Sequence, residues 1–305
     1  MSSIHEGEHD ATNAYQSLSE TTAQDDPRWA FGTGFADVEA EISAAVPAGV
    51  DPADLAAYCQ MLGDDVLVYS QRLAEWVANA PELEEEVALA NIALDLLGQA
   101  RVLLARAGHV EGAGRDEDVL AYLRDQAEFR NVALAEQSDD LDFARCVARL
   151  LVFSTWRLAL LQRLLGSADP VVAAVAAKGV KELTYHRDYA ARWILRLGDG
   201  TAESHRRAQA ALEWVWPYLG ELFRTSVEER RLVAAGVAVD PADTRDEVDG
   251  VLDQVLRQAT LTRPDLRPTG TVGGRGGRQG LHTERLGLVL AELQSVARAH
   301  PGATW

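Results

Sequence analysis

From about residue 51 onward, apolar side chains recur at every third or fourth position. No stretch sustains the in–out alternation of a half-buried strand. The clearest segment, APELEEEVALANIALDLLGQARVLLARAG over 80–108, puts Leu83, Val87, Ala90, Leu94, Leu97 and Leu104 on helical spacing. Pro81 suits a first turn, where its missing N–H is not needed, and Glu82, Glu84, Glu85 and Glu86 suit the positive end of a helix. Gly108 supplies a stop. About 25 residues predict a rod of roughly 37 Å. Similar runs at 52–79, 141–165 and 171–197 are bounded by Gly63, by Gly166 with Asp169-Pro170, and by Gly198-Asp199-Gly200; Asp51-Pro52 opens the first. Further helices are predicted over 114–135, 201–235, 241–259 and 281–299. Long helices joined by short breaks predict an all-α antiparallel bundle with additional C-terminal helices.

Two segments depart from this pattern. Residues 1–30 are polar and acidic with few apolar anchors, so 1–50 is expected to be a partly disordered extension and 51–305 the folded domain. Residues 264–280, PDLRPTGTVGGRGGRQG, form an irregular loop before the last helix and carry Arg267, Arg275 and Arg278 against Asp265. Such a loop is either a flexible connector or a backbone that lies close to a partner or an anionic ligand, since glycine has no Cβ to block approach.

Charge narrows the classes. The 305 residues carry 47 acidic and 29 basic side chains, a formal −18. Nine of the acids lie in the first fifty residues, opposed there by Arg28 alone. This balance argues against a nucleic-acid partner, which requires a basic surface, and against a polybasic membrane-binding protein. No uninterrupted apolar run approaches the ~20 residues of a membrane span, and the first twenty residues lack the basic and apolar regions of a secretory signal. Cys59 and Cys146 are too few for a disulfide framework or a structural zinc site, so a reduced, cytoplasmic setting is expected.

Bundles of long helices often house a carboxylate-bridged di-iron site, built from a Glu on each of two helices and a Glu-x-x-His on each of two others. Of the seven histidines, only His9 has Glu three residues before it, and that pair lies in the polar extension. Residues 143–168 contain no Asp, Glu or His. A complete di-iron site within this chain is therefore not expected. Glu182 and His186, four apart on one helical face, form either a half-site or a hydrogen-bonded pair beside the core. Asn91, Asp95 and Gln99 form a polar stripe that reads as a structural network if buried and as a solvated face if not. There is no phosphate-binding glycine loop in the required strand–helix context and no nucleophile elbow, and both cysteines sit in apolar runs as core thiols.

A string of motifs then stands out: LGDDVLVYSQRLAEW (62–76), APELEEEVALANIALDLLGQAR (80–101), EFRN (128–131), KELTYHRDYAARWILRLGDGTAESHRR (181–207), WPYLGELF (216–223), GGRQGLHTERLG (276–287) and HPGATW (300–305). Together, over about 52–305, they resemble the family of structural, or C, subunits of bacterial phenylacetyl-CoA epoxidase, the multicomponent oxygenase of aerobic phenylacetate degradation. The resemblance implies a ferritin-like bundle with no catalytic residue and no cofactor of its own. It implies a di-iron catalytic A subunit as partner and a reductase of the same system. Asp95, Glu182 and His186 are then the remnant candidates for metal ligation. Arg275 and Arg278 are the candidates for contact with the A subunit or with coenzyme A phosphates. The competing expectations are a self-contained ferritin-like oxidase that uses Asp95, Glu182 and His186, and a helical adaptor outside this pathway.

Overall fold

The computed structural model describes residues 42–269, 272 and 275–303. Three of the four long helices begin where a short side chain satisfies the first free amides. Asp51 accepts the Ala53 N–H at 2.9 Å and opens α1, Pro52–Ala74. Helix α2 runs Leu83–Glu111, followed by the short α3, Glu117–Tyr122, and α4, Ala133–Glu136. Asp142 accepts from the Ala144 and Arg145 amides at the start of α5, Phe143–Leu164. Asp169 does the same for Val171 and Val172 at the start of α6, Pro170–Gly198. Helices α7, Ala202–Val215, and α8, Val227–Ala234, begin with reciprocal caps from Thr201/Ser204 and Ser226/Glu229. The chain ends in α9, Arg245–Gln258, α10, Glu284–Leu293, and α11, Ser295–Ala299.

α1 packs on α2 and α5 on α6, and α2 against α6 joins these two hairpins into a four-helix bundle. α7 and α9 cover α5 and α6, while α8 and α10 lie on α1. No strand occurs among the described residues, so the all-α bundle is as predicted. α5 sits in the middle with almost every side chain from Ala144 to Leu161 buried. That environment explains its lack of carboxylates, because a helix buried all round carries apolar residues on every face.

Several predicted breaks are something else. Gly63 lies inside α1, where a Cβ would come 3.0 Å from Leu104 Cδ2, so it brings α1 close to α2 instead of ending a helix. Gly108 lies inside α2, where a Cβ would meet the Arg115 carbonyl oxygen at 1.9 Å; the helix ends at Gly112, with φ +68°. The predicted helix over 114–135 is broken into α3, a 3-10 turn at Gln126–Glu128, and α4. That over 201–235 is interrupted by the 3-10 segment Trp216–Phe223, because Pro217 has no N–H to continue the ladder. That over 281–299 divides between α10 and α11.

The expected acidic extension falls mostly on residues 1–41, outside the described residues. Within 42–50, Val46 and Val50 pack on the core, and Arg106 donates to the Ile42 and Ala44 carbonyls at 2.8 and 2.5 Å. Among the described residues only α2 is long and apolar enough to cross a membrane by length and composition. The apolar window is 44 % buried, as in a bundle helix with one open face.

Candidate functional site

At the centre of the bundle one polar side chain from each long helix turns inward: Asp65 from α1, Gln99 from α2, Arg157 from α5 and Glu182 from α6. Arg157 Nε donates to Gln99 Oε1 at 3.2 Å, and Gln99 Nε2 donates to Glu182 Oε2 at 2.9 Å. Arg157 Nη1 lies 4.0 Å from Asp65 Oδ2, with both side chains fully buried. Gly179 makes this convergence possible: a Cβ there would stand 2.5 Å from Leu161 Cδ1 and 3.2 Å from Gln99 Nε2.

The charge of Asp65 is held chiefly from outside the bundle. Arg278 reaches in from the glycine-rich segment and donates to Asp65 Oδ1 and Oδ2 at 2.9 and 2.8 Å, and to the Met61 and Arg130 carbonyls at 3.0 and 2.8 Å. The Val132 amide adds a third bond to Asp65 at 2.8 Å. Burial nevertheless pushes the Asp65 carboxyl up, against the pull of Arg278 and then Arg157. Burial also pushes the Arg157 guanidinium down to about 10, opposed by Asp65, so it stays charged at neutral pH. Its two terminal nitrogens make no hydrogen bond.

From this centre α2 and α6 continue as a ladder whose rungs show that they run antiparallel. One turn on, Asp95 Oδ2 lies 3.0 Å from His186 Nε2; farther along, Glu85 accepts from the Tyr189 hydroxyl and, at 2.8 Å, from Trp193 Nε1. Glu182, its carboxyl pushed up by burial, therefore pairs with Gln99, and His186 with Asp95. The remnant ligand candidates form cross-helix pairs; Glu182 and His186 do not point at a common centre. Asn91 is exposed, so only the Asp95–Gln99 half of the predicted stripe belongs to the network.

The donor set does not fit a pair of metal ions. Such ions require several carboxylates and neutral imidazoles around one point. Here a permanent cation and a neutral amide hold the middle. Among the described residues no three His, Cys, Asp or Glu side chains are grouped to bind a metal. A guanidinium placed among the helices neutralises the buried carboxylates, as a bound cation would.

The segment around Arg278 continues as a strap across α1 and α4. Glu221 accepts from the Gly277 and Ala133 amides at 2.8 and 2.7 Å. Glu136, fully buried, accepts from Asn131 Nδ2 at 2.9 Å and the Thr283 amide at 2.6 Å, and lies 2.9 Å from His282 Nδ1. His282 Nε2 lies 2.9 Å from the Phe129 carbonyl. Burial disfavours the charged ring, but the Glu136 hydrogen bond and charge outweigh it and raise the His282 pKa. Both ring nitrogens face acceptors, as an imidazolium requires.

Arg278 is thus part of the interior, with 9 % of its side chain exposed, and the expectation that it reaches a partner or coenzyme A is corrected. Its bidentate match to a buried carboxylate explains why it turns in. Arg275 remains at the surface, bridged to Val272 and donating to the Gln279 carbonyl at 2.9 Å. Gly270, Thr271, Gly273 and Gly274 of the same loop lie outside the described residues.

Residues 43–305 match the family model described as phenylacetic acid catabolic protein. The chain belongs to this family. It is also 44 % identical, over 251 residues, to the C subunit of the 1,2-phenylacetyl-CoA epoxidase of Escherichia coli (strain K12); the match covers 82 % of this chain and 99 % of that protein. Against this membership, the features that spacing alone missed are Arg157, the strap and the Asp65–Arg278 pair. The stretch LGDDVLVY over 62–69 did carry a signal. Two adjacent acids inside an apolar run must find buried cations, and the fold supplies Arg124 to Asp64 and Arg278, with Arg157 at 4.0 Å, to Asp65.

Proposed function

We propose that this chain is a non-catalytic structural subunit of a multicomponent phenylacetyl-CoA 1,2-epoxidase, pairing with and stabilising a di-iron catalytic subunit that receives electrons from a separate reductase. The observation that carries the reading is Arg157. A guanidinium bonded to Gln99 and facing Asp65 occupies the bundle centre where a ferritin-like oxidase places its ligands. The likeness to the C subunit of an epoxidase supplies the pathway and the reaction.

A subunit of this kind acts through rigidity. Metal ligands on a partner's helices hold their geometry only if the helices behind them are fixed. Four helices locked by buried ion pairs and a C-terminal strap present a firm surface for that purpose. Exposed Arg275 is the remaining candidate from the glycine-rich loop for contact with the catalytic subunit or a coenzyme A phosphate.

The test is elemental analysis of the purified full chain, together with phenylacetyl-CoA turnover by the chain alone and after co-expression with the catalytic subunit, the reductase being supplied in each case. The reading expects no stoichiometric iron in the lone chain, a co-purifying complex, and turnover only by that complex. Two irons per chain with a di-iron spectrum, or turnover by the single chain with reductase, overturns it. Arg275→Ala that leaves both complex formation and KM for the thioester unchanged removes Arg275 from the reading.

A further inference from the structure

The outer face of α2 is apolar and lacks a partner among the described residues. Leu83, Val87, Leu94 and Leu97 are 70, 52, 41 and 40 % exposed. With half-buried Ala90 between them and Arg101 beyond, they fall at intervals of four, three, four, three and four residues. This is the seam of a coiled coil, displayed to solvent and not to the bundle. Gly98 lies on the same side, with no atom within 4 Å of where its Cβ would be. A glycine in a helix interior costs roughly 0.5–1 kcal/mol relative to alanine, and no contact among the described residues accounts for it.

The spacing also says what fits. If a second α2 lies antiparallel with Ala90 on a two-fold axis, residues whose numbers sum to about 180 face each other. Leu83 then meets Leu97 of the other copy and Val87 meets Leu94, each contact occurring twice, as an isologous interface demands. Glu82 and Glu84, exposed at the start of α2, come beside the other copy's Arg101, whose Nε lies 3.3 Å from Glu117 within its own chain. Glu82 also comes opposite Gly98, where the missing side chain leaves room for the partner's entering backbone. Beside Leu94 and Leu97 lies a groove of about 680 Å³, walled by Leu67, Leu104, Ala121 and Tyr122. It opens toward the end of the seam where the other copy's α2 begins.

We propose that two copies of this chain associate through α2, antiparallel about Ala90. The seam is complementary to itself in size and in charge, which is the mark of a second copy and not of an unrelated helix. This goes beyond the proposed catalytic role and holds whatever reaction the assembly performs.

The experiment uses the full chain and, separately, its co-purified complex. In a coiled-coil pair the helix axes are about 8–10 Å apart and each Cα lies about 2.3 Å from its axis. Two residues at position 90 on the two-fold therefore have Cα atoms roughly 3.4–5.4 Å apart, which overlaps disulfide range. Ala90→Cys is expected to give, under oxidation, a chain-to-chain cross-link at twice the 33.1 kDa mass. The native cysteines are both buried and do not compete. Leu94→Glu is expected to halve the mass of the uncross-linked chain in light scattering, with unchanged circular dichroism. A monomer at all concentrations without a cross-link at position 90, in both preparations, overturns the proposal. So does loss of the catalytic subunit, or of binding to lipid vesicles, in Leu94→Glu when Ala90→Cys forms no cross-link; the face then belongs to that other occupant.

Discussion

Two arginines approach Asp65, and their removal is predicted to have unequal effects. Arg278 makes two charge-assisted bonds to the carboxylate and two to main-chain carbonyls, whereas Arg157 stands 4.0 Å off with one bond, to Gln99. Arg278→Ala leaves Asp65 in the core with the Val132 amide and a distant cation. Breaking a buried pair in this way costs about 3–5 kcal/mol. Arg157→Met loses one hydrogen bond, about 1 kcal/mol, and leaves Gln99 Oε1 without its donor, about 1–3 kcal/mol. It also loses an attraction of about 4 kcal/mol at 4 Å and an effective dielectric of 20. Against these stands the release of a guanidinium whose terminal nitrogens are unbonded, a desolvation penalty of several kcal/mol. That release offsets much of the loss, so Arg157→Met is expected to cost less than Arg278→Ala. Urea unfolding of the full chain, followed by circular dichroism and tryptophan fluorescence with matching m-values, measures both. If Arg157→Met costs as much as Arg278→Ala, the bundle-centre cation carries Asp65 and the account of the strap is wrong.

Three further outcomes follow from the same geometry. His282 has a pKa raised above its ordinary 6.5 by Glu136, after opposing burial. Its contribution is complete below the unfolded value and is lost as pH rises through the higher folded one. His282→Gln should therefore flatten the fall in stability from pH 6.5 upward; an unchanged slope refutes the pairing. Burial pushes Asp65, Glu182, Glu221 and Glu229 up as well and tilts stability the same way, so the difference between the two proteins is what isolates His282. Asp169 caps α6 and pairs with Arg106 at 2.7 Å, both fully buried, so Asp169→Ala should cost about 3–5 kcal/mol, well beyond the ~1 kcal/mol of a cap alone. Cys59 and Cys146 are buried, and desolvation pushes both thiols up, so a thiol reagent should titrate neither in the native chain and both in denaturant.

Much of the bundle was legible because its signals are local. Helical spacing of apolar residues, Asp-Pro starts at 51 and 169, and a carboxylate-free α5 depend on neighbours along the chain. Glycine was misleading because its role is set across space. Gly63 and Gly108 sit inside helices, one pressed against Leu104 and the other under the Arg115 carbonyl, and nothing in the adjoining sequence separates such a contact from a stop. The strap was illegible for a related reason. Arg278 lies 213 residues from Asp65, in a segment whose glycines suggest a flexible connector, yet several of its polar groups are spent on the interior.

The polar candidates show how far spacing reaches. Four-residue intervals correctly placed Glu182 with His186 and Asp95 with Gln99 on common faces. They could not say that the partners lie across the interface, Glu182 to Gln99 and His186 to Asp95. A metal site and a ladder of cross-helix pairs demand the same faces. What separates them is the residue the other helices supply, and here α5 supplies an arginine. Arg157 reads in sequence as one basic residue in an apolar run, and only its position opposite Asp65 and Gln99 gives it meaning. Such a cation answers the requirement of buried carboxylates for positive charge without the chemistry a metal would bring.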